Sequence, residues 1–206
     1  MSSPIPENPS WDGRLRPLAY VFWHWPSEDT DRDSYEEAQV SFHQALRSDP
    51  PSGFIGSRSY AATPRPWSRP ITCYEDWYLI EDFTALGALN VGAVTRGRRV
   101  HHDQAAAAMA AGAGGLYRLR HGSRSTEARF AHWFHKPRGL DAEAFITALR
   151  PIIDRAGGEL WMRQLVLGPA PEWCLQLPAP AELPNAHGLA RTELRRLWPQ
   201  APTTLT

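Results

Sequence analysis

The sequence predicts an α+β chain built from two ferredoxin-like repeats, each with the order β-α-β-β-α-β. Three observations lead to this prediction. Short runs rich in aromatic and β-branched residues alternate with amphipathic helical patterns along the 206 residues. An aromatic run that reaches a histidine, skips one residue and ends at a proline occurs twice, as AYVFWHWP at 19–26 and ARFAHWFHKP at 128–137. Three short motifs also recur in the same order in both halves, which indicates a duplication.

The recurring motifs lie at equivalent points of the β-α-β order. They are a His-x-Pro, a glycine followed five residues later by an arginine, and an acidic residue followed by Trp-x-Leu. In the two halves these are His24-x-Pro26 and His135-x-Pro137, Gly53 with Arg58 and Gly158 with Arg163, and Asp76-Trp77-x-Leu79 and Glu172-Trp173-x-Leu175.

The first repeat is predicted over residues 18–122, after an irregular Pro- and Ser-rich arm at 1–17. Its first strand, LAYVFWHW, ends at Pro26 because proline cannot donate to a sheet ladder. A capping box at Ser34-Tyr-Glu-Glu37 predicts the start of the first helix. The remaining elements are, in order, the strands FIGSRSYAA and CYEDWYLIEDF, a helix after Asp82, an Ala-rich helix VHHDQAAAAMAA that GAGG ends, and the strand LYRLRHG.

The second repeat is predicted over residues 123–206 and is shorter. It begins with the strand ARFAHWFHK, and Asp141 caps a helix that Pro151 kinks. The strands ELWMRQLVL and EWCLQL follow, and the tail predicts a short helix over AHGLARTELRRLW with no final strand. Two sheets, each with helices on one face, can bury their free faces against each other, so a barrel-like core is expected.

Composition excludes several classes of function. The chain has 22 basic and 22 acidic residues, so it lacks the electrostatic footprint of a nucleic-acid or anionic-membrane binder. No stretch approaches the roughly 20 apolar residues of a membrane span, and the N-terminal sequence has no signal-peptide pattern. A cytoplasmic protein is therefore expected, with Cys73 and Cys174 as buried free thiols.

The run LIEDFTALGALN, in which a strand ends in an acidic residue before an amphipathic helix, resembles the dimeric α+β-barrel superfamily. The doubled chain is similar in layout to fused members of that superfamily over roughly residues 18–177. The superfamily includes cofactor-independent monooxygenases of aromatic polyketides, EthD-like proteins, small stress-response proteins, haem-degrading enzymes and the chlorite dismutase group. The resemblance is one of architecture, and it implies a compact barrel that can form a homodimer.

Two neighbouring acids on the third strand are the first candidates for catalysis. Strand parity places Glu75 on the face of Trp77 and Asp76 on the face of Tyr78. Both faces are otherwise apolar, so at least one carboxylate is expected in a covered region. A buried carboxylate without a partner has a raised pKa and suits a general base. The alternative is a structural salt bridge to Arg58 on the neighbouring strand, repeated by Glu172 and Arg163.

Histidines at the ends of the first strands are the second candidates. His24 shares a face with Tyr20 and Phe22, and an imidazole at the rim of an aromatic pocket can shuttle a proton near neutral pH. The same interpretation applies to His135. The alternative is a histidine hydrogen-bonded to a loop carbonyl. His43 lies on the flank of the first helix, where a surface or packing role is expected.

A second pair of histidines raises the possibility of haem. His101 and His102 lie on the Ala-rich helix, and a helix histidine ligates iron in the haem-binding branches of the superfamily that the chain resembles. Neighbouring helix positions point about 100° apart, so one of the two at most could ligate a given iron. A closely packed helix with two rim histidines explains the same residues. No HxH, HExxH or paired-Cys spacing predicts a metal site.

Aromatic residues on the predicted strands provide the walls of a candidate substrate site. Most of them fill the space between the sheets, but such folds often keep an apolar pocket with a few polar groups. With His135, the candidate substrate-binding residues are Trp23, Tyr60, Trp77, Tyr78 and Trp133.

The leading hypothesis is a small-molecule enzyme without metal that acts on an aromatic or hydrophobic substrate. The reaction would be an oxygenation, dehydration or cyclisation, with His24, Glu75 or Asp76 as general base and Arg58 steadying an anion. One alternative is haem binding through His101 or His102, with peroxide or chlorite-type chemistry. Another is a ligand-binding or stress-related protein without turnover.

Overall fold

The computed structural model describes residues 16–67, 72–123, 127–165, 170–183 and 186–199. Within these residues the strands are β1 (Leu18–Pro26), β2 (Phe54–Ala62), β3 (Cys73–Ile80), β4 (Met109–Gly122), β5 (Phe130–His135), β6 (Glu159–Leu165), β7 (Trp173–Leu177) and β8 (His187–Trp198). The helices are α1 (Arg32–Ser48), α2 (Phe83–Ala93), α3 (Arg98–Ala107) and α4 (Ala142–Ala156). The predicted α+β class is confirmed.

All of these strands pair antiparallel in one closed barrel, in the order β1-β3-β2-β8-β5-β7-β6-β4. The first repeat contributes β4-β1-β3-β2 and the second contributes β8-β5-β7-β6, so each has the strand order of a ferredoxin-like sheet. The repeats meet at two seams, where the second strand of one pairs with the fourth strand of the other. Closure leaves neither sheet with an unpaired edge along these seams.

The interior of the barrel is packed with aromatic side chains. Trp77 lies at its centre, with ring centroids 6.0 Å from Trp133 and 5.2 Å from Trp161. Trp23 packs edge to face against Trp133 at 5.3 Å. These indoles are almost wholly buried. Large rings on the inner faces therefore fill the space that two facing sheets enclose.

The C-terminal segment is a strand, and the predicted helix over AHGLARTELRRLW is wrong. Residues His187–Trp198 form β8 between β2 and β5. Thr192 and Leu194 are buried on its inner face, two residues apart as a strand requires. The barrel needs an eighth strand at this place, and that tertiary partner outweighs the local helical pattern.

Two other boundaries also differ from the prediction. The run GAGG does not end a helix, because it lies inside β4. Helix α1 begins at Arg32 with Asp31 as its N-cap, whose carboxylate accepts a hydrogen bond from the backbone N–H of Ser34, so the predicted capping box is wrong. Asp141 caps α4 as predicted, and the helix predicted after Asp82 is α2, with Asp82 as its N-cap.

Helices cover the outer face of each repeat unequally. α1, α2 and α3 lie over the first repeat, and α4 lies over the second. The described residues between β7 and β8 contain no helix. Cys73 and Cys174 are buried and no disulfide joins them, as predicted. Among the described residues, no helix is both long enough and apolar enough to cross a membrane.

Candidate functional site

A cavity of about 760 Å³ lies between the outer face of the first sheet and the helices that cover it. We call it the sheet–helix cavity. Its walls are mostly aromatic and aliphatic, and they include Tyr20, Phe22, Phe42, Tyr78, Phe83 and Leu86. A site of this size with few polar groups is typical of one that binds a small organic molecule.

Glycines of β4 open the floor of this cavity. Gly112 and Gly114 lie opposite His24 and Phe22 in the ladder with β1, on the helix-facing side of the sheet. A Cβ atom at Gly112 would come within 2.5 Å of the Phe22 ring, and one at Gly114 within 2.6 Å of the Tyr20 hydroxyl. The absence of side chains therefore lets these two rings lie across the backbone of β4.

The matching space in the second repeat is filled. The Phe145 ring packs 5.9 Å from Phe134 and 5.5 Å from Trp173, both edge to face. All three rings belong to the closed core under α4. The open pocket of this chain that faces helices therefore belongs to the first repeat.

A carboxylate flanked by two imidazoles lies at one end of the sheet–helix cavity. Asp76 of β3 lines the cavity, and its Oδ2 atom is 3.2 Å from Nε2 of His24 and 3.2 Å from Nε2 of His43. Tyr78 donates a hydrogen bond to the same oxygen at 3.0 Å. Both imidazoles are fully buried. We call Asp76, His24 and His43 the Asp76 cluster.

Hydroxyl groups hold the far sides of both imidazoles. Nδ1 of His24 is 2.5 Å from the Tyr35 hydroxyl, and Nδ1 of His43 is 2.7 Å from the Ser57 hydroxyl. Stacking fixes the ring planes further. The ring centroid of His24 lies 5.6 Å from that of Tyr74, and the ring centroid of His43 lies 5.2 Å from that of Tyr78. The other ring nitrogen of each histidine is thereby kept directed at the carboxylate.

Several buried polar atoms of this site have no hydrogen-bond partner. They are Oδ1 of Asp76, Nε2 of His24 and His43, and the side-chain amide nitrogen of Gln39, which also lines the cavity. The imidazole contacts to Asp76 are at ion-pair distance but lack the alignment of hydrogen bonds. Buried polar atoms almost always have partners. Their concentration here indicates a place where a polar group of a ligand binds.

The electrostatics keep this carboxylate ionised. Burial alone would raise the pKa of Asp76, but the imidazoles of His43 and His24 outweigh burial and lower that pKa below its usual range. Burial and the Asp76 charge raise the pKa of Tyr78 well above its ordinary value, and they raise the pKa of Tyr35 as well. Both phenols therefore stay protonated and serve as donors. A carboxylate with a low pKa is a weak base alone, so a proton it accepts is best passed to an imidazole.

The structure brings some of the predicted site residues together and separates others. His24, Asp76 and Tyr78 meet at the sheet–helix cavity. His135 is exposed at the end of β5. The remaining predicted wall residues, Trp23, Tyr60, Trp77 and Trp133, lie in the core on the opposite side of the sheet.

Glu75 and Arg58 also lie inside the barrel, where each has a strong partner. Glu75 pairs with Arg65 at 2.5 Å and accepts a hydrogen bond from the Trp77 indole at 2.6 Å. Arg58 donates two hydrogen bonds to Glu159, at 2.8 and 2.9 Å. The predicted pair between Arg58 and an acid of β3 is therefore wrong in its partner, because the arginine reaches across the barrel into the second repeat.

The histidines of α3 have different surroundings. Nδ1 of His101 is 2.8 Å from the Ser41 hydroxyl on α1. His102 lines the sheet–helix cavity, with Nδ1 3.1 Å from the Asp103 carboxylate and its ring edge to face with Phe42 at 5.5 Å. In the described parts of the chain, no group of three or more His, Cys, Asp or Glu side chains is placed to hold a metal ion.

His43 is a residue of the candidate site that sequence reasoning missed. The expected surface position on α1 is wrong, since the imidazole is fully buried beside Asp76, whereas its stacking on Tyr78 agrees with the expected packing role. A signal was present, because Tyr35, Gln39 and His43 recur at four-residue spacing on the buried face of α1. Three polar side chains on one otherwise apolar helix face indicate a polar partner on the sheet below.

A second cavity, of about 780 Å³, lies where β2, β8 and β5 meet. Much of its polar lining is charged and exposed, and two of its arginines already have partners: Arg195 pairs with Glu36, and Arg196 lies 3.6 Å from Glu127. It contains no buried unpartnered polar side chain among the described residues. The sheet–helix cavity is therefore the better candidate site.

No protein-family model matches the sequence, and no curated protein is similar to it. Solved structures do match the fold. A candidate monooxygenase from Fusobacterium nucleatum is 12% identical, with a TM-score of 0.61 over 89% of this chain and 93% of that one. The chain shares the α+β-barrel fold of that structure, and its described strands form one closed barrel.

Two further structures share this barrel. A candidate monooxygenase from Lactobacillus acidophilus is 9% identical with a TM-score of 0.54, covering 88% of this chain and 94% of the other. An anthrone oxidase-like protein is 7% identical with a TM-score of 0.52, covering 92% of this chain and 97% of the other. At these identities the likeness shows the α+β barrel alone.

Proposed function

We propose that this chain is a small-molecule enzyme that acts on an aromatic or hydrophobic substrate by acid–base chemistry and needs no metal. One observation carries the proposal. The unpartnered Oδ1 atom of Asp76, backed by two buried imidazoles, lies at the polar end of an apolar cavity. Perturbed titratable groups in a cleft of this kind are typical of catalytic sites.

The substrate is held by its polar end. An aromatic hydroxyl can donate to Oδ1 of Asp76 and accept from the amide of Gln39, so both unpartnered groups are satisfied by one ligand group. The rings of Tyr20 and Phe22 then face the apolar body of the ligand. Apolar walls exclude water and strengthen the interaction with the carboxylate.

The reaction begins with removal of a proton from the bound substrate. Asp76 takes the proton and shares it with the adjacent imidazoles, so the cluster as a whole is the base and the substrate is left as an anion. That anion is the reactive species for oxygenation, loss of water or ring closure. The names of the neighbouring structures, two candidate monooxygenases and an anthrone oxidase-like protein, favour oxygenation among these.

Turnover of a panel of hydroxylated aromatic compounds tests the proposal, with oxygen consumption and product mass as readouts. We expect Asp76→Asn to lose turnover by about a hundredfold or more, since a positioned base contributes that much. A ligand that binds but returns chemically unchanged, across the whole panel, would replace the enzyme with a binding protein.

A haem protein is the second candidate, and the position of His102 favours it. This imidazole lines the sheet–helix cavity, and its Nδ1 atom is held by Asp103, which leaves Nε2 available to a ligand. Haem bound there would supply redox chemistry that no side chain provides. The test is a visible spectrum after stoichiometric haem addition. A Soret band lost in His102→Ala and kept in His101→Ala would support this candidate, and a flat spectrum would remove it.

A further inference from the structure

The two imidazoles of the Asp76 cluster lie at the same distance from the carboxylate, but their Nδ1 atoms contact different hydroxyl groups. His24 leads to Tyr35, which is fully buried beneath the rings around it. His43 leads to Ser57, the one partly exposed residue among the five that connect Ser57 through Asp76 to Tyr35. One branch therefore ends inside the protein and the other ends at the surface.

We infer that His43 and Ser57 carry the proton of the reaction from Asp76 to solvent, while His24 and Tyr35 hold the carboxylate in place. This inference rests on the proposed function, because it assigns the exit of the proton that the substrate gives up. Neither His43 nor Ser57 touches the substrate, so both are positioning residues in the proton path.

The surroundings of Ser57 allow its hydroxyl to exchange protons with water. It follows a register shift between Phe54 and Gly56 in the pairing of β2 with β3. Ser57 itself is partly exposed, so water can reach this part of β2. Tyr35 has no such outlet, since its ring packs 4.9 Å from Tyr74 under α1.

Each step of the path conserves the proton. The path uses the neutral His43 ring that carries its proton on Nδ1, so that Nε2 can accept a proton. The substrate hydroxyl gives its proton to Asp76, which passes it to Nε2 of His43 over 3.2 Å. The ring releases the proton on Nδ1 to the Ser57 oxygen over 2.7 Å, and Ser57 gives its own hydroxyl proton to water. The net change is one proton moved from substrate to solvent, with no change of oxidation state.

The His24 branch serves a different purpose. A buried carboxylate needs partners that fix its orientation, and the His24 imidazole and the Tyr78 hydroxyl supply two of them. The Tyr35 hydroxyl then fixes the His24 ring. A proton that enters this branch reaches Tyr35, which is fully buried, so it is returned to the cluster.

The test compares the full chain with three variants, using ¹⁵N-labelled histidine and no ligand. The measured quantity is the rate at which ring N–H protons of His43 and His24 exchange with water. We expect His43 to exchange faster than His24 in the wild type. Ser57→Ala should slow His43 exchange by about tenfold or more. Ser57→Thr keeps the hydroxyl and should restore the rate, and the matched control Tyr35→Phe should leave His43 unchanged.

Added imidazole buffer gives a second readout that a purely structural role of Ser57 would not move. A diffusible base should accelerate His43 exchange in Ser57→Ala and leave the wild type nearly unaffected. Equal exchange at both histidines in the wild type, or an unchanged His43 rate in Ser57→Ala, would overturn the inference. This experiment uses no substrate, so equal exchange at the two histidines would refute the proton path and leave the proposed function untouched. If His43 exchanges faster than His24 but no compound of the panel is turned over, the proposed function is refuted and the difference between the histidines remains.

Discussion

At the scale of single residues, the site depends on one negative charge placed between two buried imidazoles. Asp76 keeps that charge because the favourable interaction with His43 and His24 exceeds the cost of burial. The same charge orients the Tyr78 hydroxyl. Removing it leaves the Nε2 atoms of both buried imidazoles without the charge that they face, and breaking a buried pair in this way is costly.

Asp76→Asn should lower the free energy of unfolding by about 3 kcal/mol at neutral pH. The pKa of Asp76 is lower in the folded chain than in the unfolded one, so its stabilising effect is present above the unfolded pKa of about 3.9. It is lost as the pH falls through the folded pKa. Urea unfolding across the pH range measures this. If the difference in unfolding free energy between wild type and Asp76→Asn is the same at neutral and at strongly acidic pH, this explanation is contradicted.

Sequence reasoning reached part of this site. Strand parity placed Asp76 with Tyr78 on one face of β3, and both are at the cavity. His43 could not be found that way, because the angle at which a helix crosses a sheet decides which helix residue meets which strand residue. The partner of Arg58 was missed because Glu159 lies on a strand of the other repeat, 101 positions away in the chain.

At the scale of elements, β4 decides whether the sheet–helix cavity is open. Its GAGG run has no large side chain on the face where Tyr20 and Phe22 lie. Glycine is poor in a strand interior unless a close approach requires it, and here the close approach of two aromatic rings does. The glycines thereby make the strand intrinsically less stable, and they leave room for the two rings.

Gly114→Ala should close part of the cavity. The added Cβ would lie 2.6 to 2.9 Å from atoms of the Tyr20 side chain, which must move toward the cavity. We expect a loss of about 1 to 3 kcal/mol in unfolding free energy and weaker binding of an aromatic ligand, measured by thermal unfolding and fluorescence titration. Gly56→Ala is the matched strand control, since its Cβ would meet nothing within 4 Å. Equal binding in both variants would contradict this assignment.

Two elements show where the local sequence pattern predicts the wrong secondary structure. The helix-favouring residues of 186–198 form β8, because that segment completes the ring of strands between β2 and β5. The glycines of 112–115 are typical of a helix end, yet they continue a strand. In both cases a long-range partner outweighs local propensity, and no window of sequence contains that partner.

At the scale of the whole molecule, the two repeats are joined by two seams and by an ion pair across the barrel. Arg58 of the first repeat donates both hydrogen bonds of a forked pair to Glu159 of the second, deep in the interior. Such bidentate pairs are strong and directional. The helix-facing site and this interior pair lie on opposite sides of the same sheet.

Arg58→Met should therefore separate stability from function. Leaving Glu159 buried without its partner is expected to cost about 3 to 5 kcal/mol, measured by urea unfolding. Binding of an aromatic ligand by the molecules that remain folded should be unchanged, because the guanidinium of Arg58 pairs inside the barrel, on the opposite side of the sheet from the sheet–helix cavity. A stable variant that loses ligand binding would instead assign Arg58 the anion-steadying role expected from the sequence.

The most direct test of the account is a spectroscopic titration with 4-nitrophenol, whose anion absorbs visible light and whose neutral form does not. If the Asp76 cluster takes a proton from a bound phenol, wild-type protein should bind the dye and show the anion's absorbance below the pH at which the free dye ionises. Asp76→Asn should bind the neutral dye and show no such band. Wild-type protein that binds only the neutral form, or a band that persists in Asp76→Asn, would contradict the central claim.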